Sequence, residues 1–475
     1  MSIMAAFSVP HPPMIVPEVG RGSEEQIKKT TDSYLKIAEE IAALKPDTII
    51  ISSPHTVMYG DFFHISPGER AEGSFSGFAA PGIVFSEEYD CELVQRIESI
   101  AYDEKVPCGT LGERDRDLDH GTMVPLYFIR QKYDGFKLVR IGLSGNPLTD
   151  HYAVGRVIKR ACEELGRNAV YIASGDLSHK LQEYGPYGFA KEGPEYDKRV
   201  MDVLGRAAFD ELFDFDESFC EKAAECGHRS FVMMAGALDG IKVNAKSYSY
   251  EDVTGVGYGI CSFYPLKDDN RNIVNDDERK FLDMRLDDEK KRIAESFDRS
   301  DVYVKLAGKT LEEYIRTGKE PDLNRILARF TDNEINELTS LKAAVFVSIH
   351  KHGALRGCIG TIFPTTDCVA KEIIQNAISA STRDPRFEPV GEEEIPFLEI
   401  NVDVLSEPEA IESEDELDVK KYGVIVTSGY KRGLLLPDLD GVDTVEDQVA
   451  IAMQKGGITR SDKYKLERFE VIRHR

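Results

Sequence analysis

Over roughly its first 265 residues the chain alternates short apolar or β-branched runs with segments of helical hydrophobic spacing, and this switching of period constrains the fold more than any other feature. Residues 3–9 form a short apolar run. Residues 24–44 place Ile27, Tyr34, Leu35, Ile37, Ala38 and Ile41 at helical spacing. Lys45-Pro46-Asp47 interrupts that pattern, and Thr48-Ile49-Ile50-Ile51 follows as a β-branched strand. The strand signal returns at 137–143 and 169–173, with a helical segment at 152–165 between them. Tyr248, Tyr250 and the run 256–264 read as further strands. Strands alternating with helices predict an α/β domain whose central sheet is covered by helices on its faces.

A chain of 475 residues exceeds one ordinary domain. The composition changes at about residue 267, where the apolar, glycine-spaced stretch 256–265 gives way to Lys267-Asp268-Asp269-Asn270-Arg271-Asn272 and then to a charged helical region at 276–299. The expected division is therefore a first domain at 1–267, a charged linker at 268–289 and a second domain at 290–475. In the second domain 294–316 and 369–381 read as helices, and 343–350, 398–405 and 423–426 as strands. This mixture predicts a smaller α+β domain.

The formal net charge of −25 repels phosphate backbones, and lysines and arginines are interleaved with acids, so nucleic-acid binding is not expected. No apolar run approaches the ~20 residues of a membrane span, so no membrane association is expected. The first residues lack a basic segment followed by a long apolar one, which predicts a cytoplasmic protein. Eight cysteines without a Cys-x-x-Cys pair suggest neither a disulfide framework nor a cysteine zinc site.

Seven of the ten histidines fall in the first domain, and three follow predicted strands: His11 in Val9-Pro10-His11-Pro12-Pro13, His55 in Ser52-Ser53-Pro54-His55, and His179 in Ser174-Gly175-Asp176-Leu177-Ser178-His179. In open α/β sheets ligands gather beyond the carboxyl ends of the strands, so these imidazoles are candidates to converge. Imidazole is the commonest metal ligand, and two of them with one carboxylate suit non-haem Fe(II) while leaving positions open. Two further segments carry candidates, Asp119-His120-Gly121-Thr122 and Glu225-Cys226-Gly227-His228. Glu225 and His228, three apart on an expected helix, form half of a di-iron Glu-x-x-His arrangement. The second copy that such a bundle needs is not evident, which leaves Glu225 as a carboxylate for a mononuclear site.

Pro10-His11-Pro12-Pro13, Ser53-Pro54-His55, Asp119-His120-Gly121 and Gly175-Asp176-Leu177-Ser178-His179 together resemble the class III extradiol dioxygenase (LigB-like) superfamily, which includes the Memo proteins. The resemblance implies that His11 and His55 bind a metal ion, Fe(II) in the dioxygenases, with copper or zinc as alternatives. It implies that His179 is the active-site acid/base and that His120 lines the substrate pocket. Dioxygenases take a glutamate as third ligand, which points to Glu225. Memo-type relatives place a cysteine in a Cys-Gly motif, which points to Cys226.

In the second domain Leu355-Arg356-Gly357-Cys358-Ile359-Gly360-Thr361, Asp384-Pro385-Arg386-Phe387 and Gly433-Leu434-Leu435-Leu436-Pro437 resemble the AMMECR family. The pairing resembles the AmmeMemoRadiSam system and implies a radical SAM protein as partner. Arg356, Cys358 and Gly360 alternate along an expected strand and so share one face. A guanidinium beside that thiol is expected to lower its pKa and to hold an anionic substrate, which makes Arg356 and Cys358 a second candidate site. His350 and His352 fall in the expected hairpin turn. Two functions follow as expectations. One is a metal-dependent oxidoreductase cleaving a small aromatic, catechol-like substrate. The other is a metal-binding partner module acting with a radical SAM protein.

Overall fold

A computed structural model describes residues 3–114, 117–270, 272–439 and 441–475. Arg271 of the expected linker lies outside the described residues, as do Met1 and Ser2 of the first segment read above. The chain divides into two units, Met1–Arg285 and Leu286–Arg475.

The first unit contains strands β1 (Ile3–Val9), β2 (Thr48–Ser53), β3 (Phe63–His64), β4 (Arg70–Phe75), β5 (Ala80–Glu88), β6 (Cys108–Gly109), β7 (Lys137–Gly142), β8 (Ala169–Ser174), β9 (Val243–Glu251) and β10 (Tyr258–Pro265). Six of them form the central sheet in the order β7-β2-β8-β1-β10-β9. β7, β2, β8 and β1 are parallel, whereas β10 runs antiparallel to both β1 and β9. Every residue of β2 and β8 is buried, as expected of parallel strands covered on both faces, and this explains why neither strand carries a charged residue. The helix Lys28–Leu44 turns Tyr34, Ile37, Ala38 and Ile41 into the core, and the helices Leu148–Leu165 and His228–Ala237 pack against each other. The chemical consequence lies at one edge. β2, β8 and β1 are neighbours running the same way, so the loops that follow them leave the sheet side by side.

The division between the units falls within the segment expected as a linker. Its first part is laid along the first unit: the backbone N–H of Lys242 donates to Val274 O, and Arg156 pairs with Asp283 at 2.5 Å. The helix Phe281–Arg299 then runs across the division.

The second unit is built on an antiparallel sheet of β11 (Ala344–Lys351), β12 (Ala354–Gly360), β13 (Leu398–Leu405), β14 (Glu409–Ile411), β15 (Tyr422–Ser428), β16 (Lys431–Leu435) and β17 (Lys465–His474). The order is β12-β11-β13-β17-β15-β16, with β14 also paired to β17. The helices Val302–Thr317 and Val369–Thr382 cover β11 and β13, burying Val345, Val347, Ile349 and Val402. The helix Val445–Lys455 covers β15 and β16 over a smaller core containing Val424, Val426, Leu435 and Val449. These two folds are the helix-flanked α/β domain and the smaller α+β domain anticipated from the sequence. No helix among the described residues is long and apolar enough to cross a membrane.

Candidate metal centre

His11, His55 and Cys226 come together at the rim of the central sheet. His11 Nε2 lies 3.0 Å from His55 Nε2 and 3.6 Å from Cys226 Sγ, and one donor atom from each residue falls within 4.8 Å of the others. Sequence separations of 44 and 215 residues are closed because β1 and β2 flank β8 in parallel. The close contact of two glycines brings the third ligand in. A Cβ on Gly175 would stand 2.1 Å from Gly227 Cα, so only glycine lets the Ser-Gly-Asp turn lie against the Cys-Gly turn. The contact is fastened by the Asp176 N–H, which donates to Cys226 Sγ at 3.2 Å, and by the Cys226 N–H, which donates to Asp176 O at 3.3 Å.

The hydrogen-bond network sets the tautomer of His11. The Ser174 hydroxyl donates to Gly121 O at 2.6 Å, which uses its single hydrogen. Its oxygen, 2.9 Å from His11 Nδ1, therefore accepts from an Nδ1–H, and the lone pair at Nε2 is directed toward His55 and Cys226. Asp176 holds the same loop by accepting the His11 N–H at 2.7 Å. Burial pushes the Asp176 carboxyl up to about 7.

His120 and His179 complete the cluster. The rings of His120 and His55 are 4.0 Å apart, and Asp119 caps the helix that His120 begins by accepting the Thr122 N–H at 3.0 Å. Phe78 packs on the other side of His120, with ring centroids 5.5 Å apart. His179 Nε2 is 4.0 Å from Asp176 Oδ2, buried and without a hydrogen-bond partner, and the Tyr187 ring stacks on this imidazole at 5.1 Å. All four imidazoles are pushed below their ordinary value. Burial, then the neighbouring His55, push His120 down to about 4, and the same causes lower His179 to about 4. Burial lowers His11 and His55 as well.

This donor set fits a transition-metal ion: a directed imidazole lone pair, a second imidazole and a thiol already within ligand reach of one another, and an unpartnered buried Nε2 alongside. Asp176, His179 and Cys226 form a second, overlapping group of suitable atoms.

Glu225 does not join the two histidines. It and Cys226 precede the helix His228–Ala237 instead of lying on it. The Glu225 carboxylate accepts the His228 N–H at 2.6 Å and lines a separate cavity of about 280 Å³ with Asn146 and Arg229. Among the described residues the donor grouped with His11 and His55 is Cys226 Sγ.

The second candidate pair is also separated. The pairing of β11 with β12 shifts register between Ile349 and His350, so strict alternation from Arg356 to Cys358 fails. Arg356 is engaged by Glu394 at 2.9 and 3.0 Å and by Glu388 O. Burial raises the Cys358 thiol and outweighs the lowering by the Ser348 hydroxyl and by Arg386, which is the arginine next to it. His352 occupies the turn, paired with Glu289 at 2.9 Å, while His350 lies in β11. Sequence reasoning assigned no role to Ser174, Tyr187 or Arg386. Arg386 and Ser174 both stood in quoted segments, but neither residue type at its position signalled a role.

The geometry defines a two-domain protein whose α/β unit gathers histidine and cysteine donors that could hold a metal ion at the sheet edge. Comparison with known proteins makes this specific. Residues 5–261 match the family model described as the catalytic LigB subunit of aromatic ring-opening dioxygenase, and residues 304–474 match AMMECR1. The chain belongs to the LigB family and carries an AMMECR1 domain after it. A Clostridium acetobutylicum protein is 42% identical over 483 residues, covering all of both chains. A Thermotoga maritima protein is 48% identical over 177 residues, 36% of this chain and 97% of its own length. Among solved structures, an uncharacterized Pyrococcus horikoshii protein covers 36% of this chain and 88% of its own at 33% identity, with a TM-score of 0.31. An uncharacterized protein of Escherichia coli K12 covers 55% and 99% at 16% identity, with a TM-score of 0.38.

Proposed function

We propose that the first unit is a Memo-like metal-binding module in which His11, His55 and Cys226 hold one transition-metal ion, and that it acts beside a radical SAM protein docked through the AMMECR1 domain. The observation that carries this reading is Cys226 Sγ at 3.6 Å from His11 Nε2 while the Glu225 carboxylate is occupied as a helix cap. A thiolate selects softer ions than a carboxylate does, which favours copper or zinc over Fe(II) here. A bound ion supplies Lewis acidity toward a substrate oxygen. The protein's own groups do the rest. Ser174 fixes the His11 tautomer, the four neutral imidazoles keep the site free of competing positive charge, and Tyr187 shields His179 from water. Metal analysis of the purified full chain tests the reading: Cys226→Ala loses the ion and Glu225→Ala keeps it. Loss on the glutamate change alone contradicts it.

A second reading is supported by His179 and His120: extradiol cleavage of a catechol-like ring with Fe(II), a specific form of the aromatic ring opening named in the family description. His179 Nε2, buried and free of partners, is suited to take a proton from a substrate hydroxyl and return it to the departing oxygen. His120, between His55 and Phe78, is suited to hydrogen-bond the substrate from the side. Anaerobic Fe(II) loading followed by oxygen uptake over a panel of catechols decides between the readings. Uptake that disappears in His179→Gln supports ring cleavage, and no uptake by iron-replete protein excludes it.

A further inference from the structure

Two motifs of the second unit meet at Cys358, and the third seats the helix that carries a cation toward it. Asp384 and Arg386 of the second motif clamp the backbone of Cys358 in the first: the Cys358 N–H donates to Asp384 Oδ2 at 2.9 Å, and Arg386 Nη2 donates to Cys358 O at 3.4 Å. The clamp is itself an ion pair, with Arg386 Nε and Nη2 donating to the Asp384 carboxylate at 2.9 and 2.7 Å. On the strand beside it, the Ser348 hydroxyl donates to Cys358 Sγ at 3.2 Å. Gly433 of the third motif admits the end of the helix Val445–Lys455. A Cβ there would stand 1.8 Å from Ala452 O and 2.7 Å from Gly456 N, so no other residue permits the approach. Lys455, the last residue of that helix, is brought by it into the electrostatic range of Cys358 and Arg386.

The charges around the thiol do not cancel. Asp384 pairs with Arg386 and Asp403 with Arg473, both at hydrogen-bond distance. Among the described residues no carboxylate lies within ion-pair distance of Lys455, which leaves one ammonium uncompensated in a protein of net charge −25. The site is also reachable: Cys358 and Arg473 are half-buried, and Arg386 and Lys455 are exposed. A surplus cation in electrostatic range of a reachable thiol, with Arg386 28 residues and Lys455 97 residues along the chain from Cys358, is an arrangement for holding an anion against sulfur.

We infer that Cys358, Arg386 and Lys455 form an anion-binding thiol site in the second unit, whose ligand is a small organic anion, carboxylate or phosphate, held by Lys455 and Arg386 beside the Cys358 sulfur. The site stands independently of the metal centre. Alkylation of the full chain tests it with two probes of nearly equal size, anionic iodoacetate and neutral iodoacetamide. In each the sulfur forms a bond to the carbon, iodide leaves with its bonding pair, and the thiol proton passes to solvent. Rates are read cysteine by cysteine from peptide masses, with the half-buried Cys91 as internal reference. The rate ratio of iodoacetate to iodoacetamide is expected to be about tenfold higher at Cys358 than at Cys91, and to fall as salt is added. Lys455→Met brings the two ratios together and Lys455→Arg restores the difference; an unchanged melting temperature shows that both variants are folded. Inorganic phosphate and acetate are then added as competitors. Protection by phosphate at the lower concentration identifies a phosphate ligand, and protection by acetate a carboxylate. Equal ratios at the two cysteines, a Cys358 that reacts with neither probe, a ratio indifferent to Lys455→Met, or no protection by either anion overturns the inference.

Discussion

Each unit places a cysteine at the centre of a motif, and the surroundings of the two sulfurs differ. Cys226 meets the His11 imidazole and the Asp176 backbone amide in a site dominated by neutral, buried imidazoles. Cys358 meets a serine hydroxyl and a ring of formal charges open to solvent. Burial raises both thiols, so the sulfur alone does not distinguish them. The neighbours do. Lone pairs converging on one point suit a metal ion, whereas an uncompensated cation suits an anion.

The comparison can be broken most severely at the glycine contact of the first unit. Gly175→Ala drives a methyl into Gly227 Cα, and neither backbone can retreat without opening the Cys226 turn. Denaturant unfolding is expected to show a loss of about 3 kcal/mol, with the metal lost as well, because overpacking against backbone is not relieved by a rotamer change. Ser174→Ala acts next. It removes the acceptor of the His11 Nδ1–H and frees the tautomer, so competitive metal titration should show affinity reduced about 10–100-fold with the fold intact.

Acid should separate the two units. In the first, six imidazoles, those of His11, His55, His120, His151, His179 and His228, are held below their ordinary value, chiefly by burial. The unfolded chain takes up those protons below about 6.5, whereas in the folded unit His120, His179 and His228 do so only near 4 and His151 near 3, so the stability they contribute is complete above about 6.5 and lost as pH falls toward those values. Asp176, Asp197, Glu225 and Asp239 are raised by burial and act in the opposite direction, but they are four against six. In the second unit burial opposes, but hydrogen bonds from Arg356, Gly391 and Lys351 prevail in holding Glu394 down to about 2. That stability is complete above about 4.5 and lost as pH falls toward 2. Hydrogen exchange at pH 5 should therefore find β1, β2 and β8 of the metal-free chain opening while β11 and β13 remain protected. The smallest effect is expected at Glu225→Gln, which weakens the cap on His228: about 1 kcal/mol of stability, measured by thermal melting, with metal content unchanged.

The sequence revealed elements whose pattern follows from burial and topology. β2 and β8 are legible as β-branched runs because both faces are covered, and parallel neighbours necessarily release His11 and His55 at one edge. Features that depend on a single turn of the chain were not legible. Glu225 and Cys226 are adjacent and chemically suitable, and only the path of the backbone past Gly175 decides which faces His11. Alternation paired Arg356 with Cys358, but one register shift at Ile349 and His350 interrupts it, and the arginine that reaches the Cys358 backbone is Arg386. Lys455 is nearly 100 residues from Cys358, and no local pattern announces their approach. The charge-rich stretch before the second unit gave no sign of the backbone hydrogen bonds that lay it along the first.

X-ray absorption at the metal edge of the loaded full-length chain tests the central claim most directly. The account predicts one sulfur scatterer at about 2.3 Å together with two imidazole nitrogens, the sulfur disappearing in Cys226→Ser and persisting in Glu225→Gln. A shell of nitrogen and oxygen only, unchanged by the cysteine substitution, would contradict it.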